Sequence, residues 1–194
     1  MSNSISIGVE ALAYKLPPQR LSLPALAERG ELTSGINTLE KFGFHYAHAA
    51  ESGGASMLSD ELLNVALDVM PQQREAIEAL FYCHGLPQTC QVGTAGKQPT
   101  QLFRYTVARL HADLGLAHNT MMATVSEQGC SGFLTTLMMA ARLLETSQRQ
   151  FCLCVTGDYF PAGCHREILY NVMSDATAAV LLRKNAQQNK IIAF

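Results

Sequence analysis

Apolar and polar residues alternate along "ISIGVEALAY" (5–14), the pattern of a strand with two unlike faces. "LSLPALAERGEL" (21–32) then reads as a short helix with proline in its first turn. Glycines and polar residues from Thr33 to Gly54 predict an irregular connection. Ser56 or Ser59 is placed to cap a helix through "DELLNVALDVM", which Pro71 follows closely. "AIEALFYC" (76–83) is an apolar run of strand length, bounded by His84-Gly85 and Pro87. Helical spacing returns in "KQPTQLFRYTVARLHADLGL" (97–116), with Thr100 as its cap. "TMMATVS" (120–126) predicts a strand and residues 131–146 a strongly apolar helix. "QFCLCVTGD" (150–158), "DATAAVLLRK" (175–184) and "KIIAF" (190–194) read as strands, and a short helix is expected around residues 165–171.

Strands alternating with helices of this length predict one α/β unit: a largely parallel sheet with helices on both faces. In such sheets functional groups gather at the carboxyl ends of the strands. Composition agrees with a globular chain. It has 194 residues, 48% hydrophobic and 15% charged, and a net charge of −2 with scattered basic residues. That balance offers no footprint for nucleic acid or an anionic membrane. The N-terminal stretch lacks the pattern of a signal peptide and no apolar run reaches membrane-span length, so a cytoplasmic location is expected.

Six cysteines are then expected to be reduced thiols. None of Cys83, Cys90, Cys130, Cys152, Cys154 and Cys164 shows paired C-x2-C spacing, so no metal site is expected. Cys152 and Cys154 fall on one face of a strand and read as small core residues. Cys130 differs. In "SEQGCSGFLTTL" it follows a strand, stands beside Gly129 and close to Gly132, and opens an apolar helix. Glycine is costly inside a helix, so the pair argues for a tight turn that presents the thiol. The unpaired N–H groups and dipole of a first helical turn favour negative charge, whether of a thiolate or of a developing oxyanion. Gly129 allows the sharp turn, and Gly132 allows another backbone or a substrate to approach closely.

Two families carry a cysteine in such a setting. "MATVSEQGCSGFLTTLMMAARLL" resembles the nucleophile stretch of thiolase-like condensing enzymes of the β-ketoacyl-acyl carrier protein synthase III type, with Cys130, Gly132 and Phe133 matching. "CLCVTGDYF" resembles the strand that follows, and "MSDATAAVLLRK" a later glycine-rich strand, with Asp175 and Ala179 retained. The alternative is a caspase-like cysteine peptidase, whose Gln-Ala-Cys-x-Gly signature Gln128 to Gly132 fits loosely, with His84-Gly85 upstream. The long apolar helix directly after Cys130 and the strand order of the whole chain favour the condensing enzymes.

The resemblance implies a five-stranded, mostly parallel thiolase-like half spanning residues 1–194, the N-terminal half that carries the nucleophile. The C-terminal half, with its His and Asn partners, would lie on the same or another chain. It further implies an acyltransferase that loads Cys130 from an acyl thioester. A decarboxylative Claisen condensation in fatty-acid-related or specialised metabolite biosynthesis would follow. Acyl-CoA or acyl carrier protein would be the substrate, with no separate cofactor. A homodimer or heterodimer is implied, joined through the strand before Cys130, and Lys97 and Gln98 would reach the neighbour's pocket. The chain has no tryptophan, where the family stacks one on coenzyme A, and this favours a carrier-protein donor. A non-catalytic partner subunit is the non-enzymatic alternative, against which retention of the cysteine argues.

Overall fold

The computed structural model describes residues 5–50, 54–70, 74–86, 105–161 and 163–192. Lys97, Gln98, Thr100 and Cys90 lie outside the described residues. The main sheet has the order β1 (Ile7–Lys15), β9 (Ala176–Lys184), β6 (Phe151–Asp158), β4 (Ile77–Cys83), β5 (Met121–Val125). β4 pairs in parallel with both β5 and β6, whereas β9 runs antiparallel to both β6 and β1. Four of the five strands therefore share one direction, and the reversed β9 is threaded between two of them.

Burial on both faces explains the near-continuous apolar runs of β4 and β6. The strand period of two sends alternate residues to opposite cores. Leu80, Tyr82, Leu153 and Val155 join the core beneath α3 (Gly54–Val69) and α4 (Thr106–Asp113). Ala79, Phe81, Cys152 and Cys154 join the core beneath α5 (Gly132–Thr146). The small-residue reading of Cys152 and Cys154 thus matches their place. In β1 the register shifts between Val9 and Ala11, a bulge at Glu10. Ile7 and Val9 consequently face α5, while Ala11 and Ala13 face α3. Beyond the bulge, Leu12 and Tyr14 are left exposed.

Four sequence expectations are corrected. The segment around 165–171 is a hairpin and not a helix, formed by β7 (Glu167–Ile168) and β8 (Asn171–Val172), because its backbone and charges are held by distant residues described below. The connection from 33 to 54 contains α2 (Ile36–Lys41) and β3 (Tyr46–His48). β3 pairs with β2 (Arg20–Ser22), and with α1 (Leu23–Glu28), capped by Ser22, these elements build a satellite core around Leu23, Leu26 and Leu39. α3 begins at Gly54, so Ser56 and Ser59 sit inside the helix instead of capping it. Of the predicted strand 190–194, Lys190 alone among the described residues makes a β-bridge, to Gly8. No helix among the described residues is long and apolar enough to cross a membrane.

Candidate active site

The cleft that the sheet topology predicts is present. A cavity of about 380 Å³ opens at the carboxyl ends of β4, β5 and β6, floored by the first residues of β9 and walled by the β7–β8 hairpin. Its walls are largely apolar, from Phe160, Ile168, Leu169 and Met173, and Cys130 borders it. The volume falls within the usual range for small-molecule sites, roughly 300–1,000 Å³.

The turn that delivers Cys130 is built locally. Glu127 (φ 62°) and Gly129 (φ 53°) both adopt left-handed backbone, which reverses the chain directly after β5. Gly129–Ser131 form one 3-10 turn, and the Gly132 N–H donates to the Gly129 carbonyl as α5 begins. The Ser131 hydroxyl donates to the Gln128 carbonyl at 2.8 Å, tying the turn to itself. Cys130 is exposed in the middle of this turn. Gly129 thus turns the chain with left-handed backbone. Gly132 serves a different neighbour than expected: a Cβ there would lie 2.9 Å from Cys83 Sγ, so it is a side chain of β4 that approaches closely. Phe133 packs into the core beneath α5, where it anchors the helix.

The thiols fall into two groups. Burial pushes the Cys83 thiol up, against the opposing effect of hydrogen bonds with Thr136 and Thr156. Cys154 lies well above its ordinary value through its hydrogen bond with Cys152 and through burial. Both stay neutral core groups at pH 7. Of the exposed cysteines among the described residues, Cys130 and Cys164, Cys130 alone borders the cleft. Among the described residues no group of three His, Cys, Asp or Glu side chains is arranged to hold a metal ion.

Asp158 was not singled out from the sequence. It ends β6 on the cleft wall, and its carboxylate accepts the N–H groups of Gly85 at 2.8 Å and Leu86 at 2.9 Å. A Cβ on Gly85 would lie 3.7 Å from the Gly129 carbonyl oxygen, so Asp158 fixes the segment that abuts the Cys130 turn. The signal was an acidic residue closing an otherwise apolar strand. His84 turns its ring onto Tyr82, centroids 5.5 Å apart, with Nδ1 2.7 Å from the Leu86 carbonyl oxygen. Its neighbour Gly85, rather than the imidazole, is on the cleft wall.

Behind the hairpin stands a buried charge cluster. Arg166 donates to both oxygens of Asp175, at 2.9 and 3.0 Å, and its Nε lies 3.4 Å from Glu31. Asp175 also accepts from the N–H groups of Ala50 and Phe160. Glu167 accepts from the Ser34 hydroxyl and from the N–H groups of Ser34 and Thr33. Burial raises the Glu167 carboxyl, but the hydrogen bonds from Ser34 and Thr33 outweigh it and bring it down to about 2.

Residues 126–194, which hold Cys130, Asp158 and the hairpin, match the family model of 3-oxoacyl-(acyl-carrier-protein) synthase III. The fold is that of the thiolase-like condensing enzymes. FabH from Pseudomonas aeruginosa PAO1, a 3-oxoacyl-(acyl carrier protein) synthase III, superposes with a TM-score of 0.69 at 22% identity, over 97% of this chain and 55% of that one. ChlB3, an acyltransferase, gives 0.68 at 22% identity over 92% and 50%. OleA of Xanthomonas campestris, solved with lauric acid and lauroyl-CoA, gives 0.68 at 14% identity over 92% and 56%. Among curated proteins no sequence matches the chain. The chain spans about half the length of each of these three structures. This fold carries no support for the peptidase reading of His84 and Cys130.

Proposed function

We propose that the protein is an acyl-transferring condensing enzyme that loads an acyl group onto Cys130 from an acyl thioester. The observation that carries this reading is the exposed Cys130, held on a left-handed turn at the start of α5 and bordering an apolar cleft. In the first step the Cys130 sulfur attacks the thioester carbonyl. The carbon–sulfur bond to the donor breaks, and the donor leaves as a thiol that carries the proton. Backbone N–H groups of the turn, at the positive end of α5, receive the oxyanion. Gly129 shapes that turn, Gly132 lets α5 seat on Cys83, and Phe133 fixes the helix in its core. The apolar walls take the acyl chain, which suits the lauroyl-CoA bound by OleA.

The second step in this reading is decarboxylative carbon–carbon bond formation, assisted by His and Asn groups of a C-terminal half from the same or another chain. The exposed outer face of α5, with Leu134, Met138 and Met139, is the surface we assign to that half. Among the described residues β5 is an edge strand carrying exposed Met121 and Met122, and we assign that edge to a homodimer or heterodimer contact. Acyl-CoA or acyl carrier protein is the donor, no separate cofactor takes part, and the cytoplasm is the compartment.

The test is to incubate the intact protein with an octanoyl thioester and map the adduct by mass spectrometry. Acyl mass on the peptide containing Cys130, lost in Cys130→Ser, is the expected result. An adduct on Cys83 or Cys164 with Cys130 free would overturn it.

A further inference from the structure

The β7–β8 hairpin breaks a local rule at the mouth of the cleft. Ile168 and Asn171 pair across a two-residue turn formed by Leu169 (φ 49°) and Tyr170 (φ 65°). Consecutive left-handed residues of this kind are normally Asn-Gly or Gly-Gly, because a Cβ is strained there. Such strain persists only where the surroundings over-determine the backbone, and here they do. Glu167 is held by Thr33 and Ser34, and Arg166 by Asp175. The Tyr170 ring stacks on Phe42 at 5.8 Å, and the Asn171 side-chain amide donates to the Leu169 carbonyl at 3.1 Å. Two elements distant in sequence thus brace a turn that presents Leu169, which borders the cleft and yet is 86% exposed. A turn braced this firmly around an apolar side chain that nothing among the described residues covers suits a ligand that covers it.

We infer that Leu169 is a specificity-determining residue, closing the mouth of the cleft over the acyl chain carried by Cys130 and selecting chains long enough to reach it. The inference rests on the acyl-thioester reading of the site. An apolar chain lying along Ile168 and Met173 would emerge at the rim and bury Leu169, whereas an acetyl group would not reach it. Discrimination at an apolar wall of this kind is worth about tenfold or more for a single group added or removed.

The experiment measures acylation rates of Cys130 in the intact protein by mass spectrometry, using acetyl-, hexanoyl- and decanoyl-N-acetylcysteamine. The variants are Leu169→Ala and Leu169→Asn; asparagine tolerates left-handed backbone, so Leu169→Asn relieves strain while removing the apolar contact. The decanoyl-to-acetyl rate ratio is expected to fall about tenfold in both variants, and Leu169→Asn should melt no lower than wild type. Adducts whose chain-length profile is unchanged by both variants overturn the inference alone. No adduct on wild-type Cys130 from any of the three thioesters overturns the acyl-enzyme reading, and the inference with it.

Discussion

Two turns border the cleft, and both use left-handed backbone, but they are held in opposite ways. The Cys130 turn is local. Its φ values fall at Glu127 and Gly129, and its hydrogen bonds join Ser131 to Gln128 and Gly132 to Gly129. The hairpin turn has no glycine and is held by residues far away in sequence: Glu167 by Ser34, Tyr170 by Phe42, Arg166 by Asp175 and Glu31. A turn built from its own residues announces itself in the sequence. A turn imposed by tertiary contacts hides, and its anchors are also where it breaks.

Removing an anchor of the hairpin should therefore cost most. Asp175 is fully buried and accepts from Arg166, Ala50 and Phe160, so Asp175→Ala leaves Arg166 facing Glu31 alone. A loss of about 3–5 kcal/mol in stability is expected by urea unfolding. Next comes Gly132→Ala, whose Cβ would meet Cys83 Sγ at 2.9 Å. Overpacking there should cost about 1–3 kcal/mol. Combining it with Cys83→Ala should recover much of the loss, and additive effects in that double variant would show that the Cys83 contact is not the cause.

A smaller effect is expected at the local turn. Gly129→Ala places a Cβ in left-handed backbone with nothing within 4 Å to clash, so the cost is conformational alone, about 1–2 kcal/mol. Gly129→Asn should lose less, because asparagine adopts this backbone more readily. Equal losses in the two variants would point to a cause other than φ. A separate test is acid. The folded Glu167 carboxyl lies at about 2, below its ordinary 4.5, so its contribution is whole above pH 4.5 and is lost as the pH falls toward 2. Glu167→Gln should flatten that part of the stability–pH curve, and an unchanged slope would show that other carboxylates carry it.

Much of the fold was legible in the chain. β4 and β6 are apolar without interruption because both faces are covered, and their residues alternate between the α3–α4 core and the α5 core. Pro24 marked α1 because its fixed φ suits the first turn of a helix. What escaped was set by partners out of sequence range. The stretch "REILYNVM" offers both helical and strand propensity, and its pairing is fixed by Thr33, Ser34 and Asp175. Asp158 escaped for the same reason, since its role depends on the N–H groups of Gly85 and Leu86, more than seventy residues earlier.

By itself the sequence determined the alternation of strands and helices, the two-sided burial of the central strands, and a glycine-flanked thiol at a helix start. Those features depend on neighbours a few residues apart, where periodicity and backbone freedom act. Tertiary structure alone decided that β9 enters the sheet reversed, and that the bulge in β1 divides its side chains between two cores. It alone decided, too, that a strained Leu-Tyr turn stands over the cleft. Each of those depends on ion pairs, hydrogen bonds and packing between residues that meet only when the chain is folded, where burial strengthens every polar contact that is satisfied.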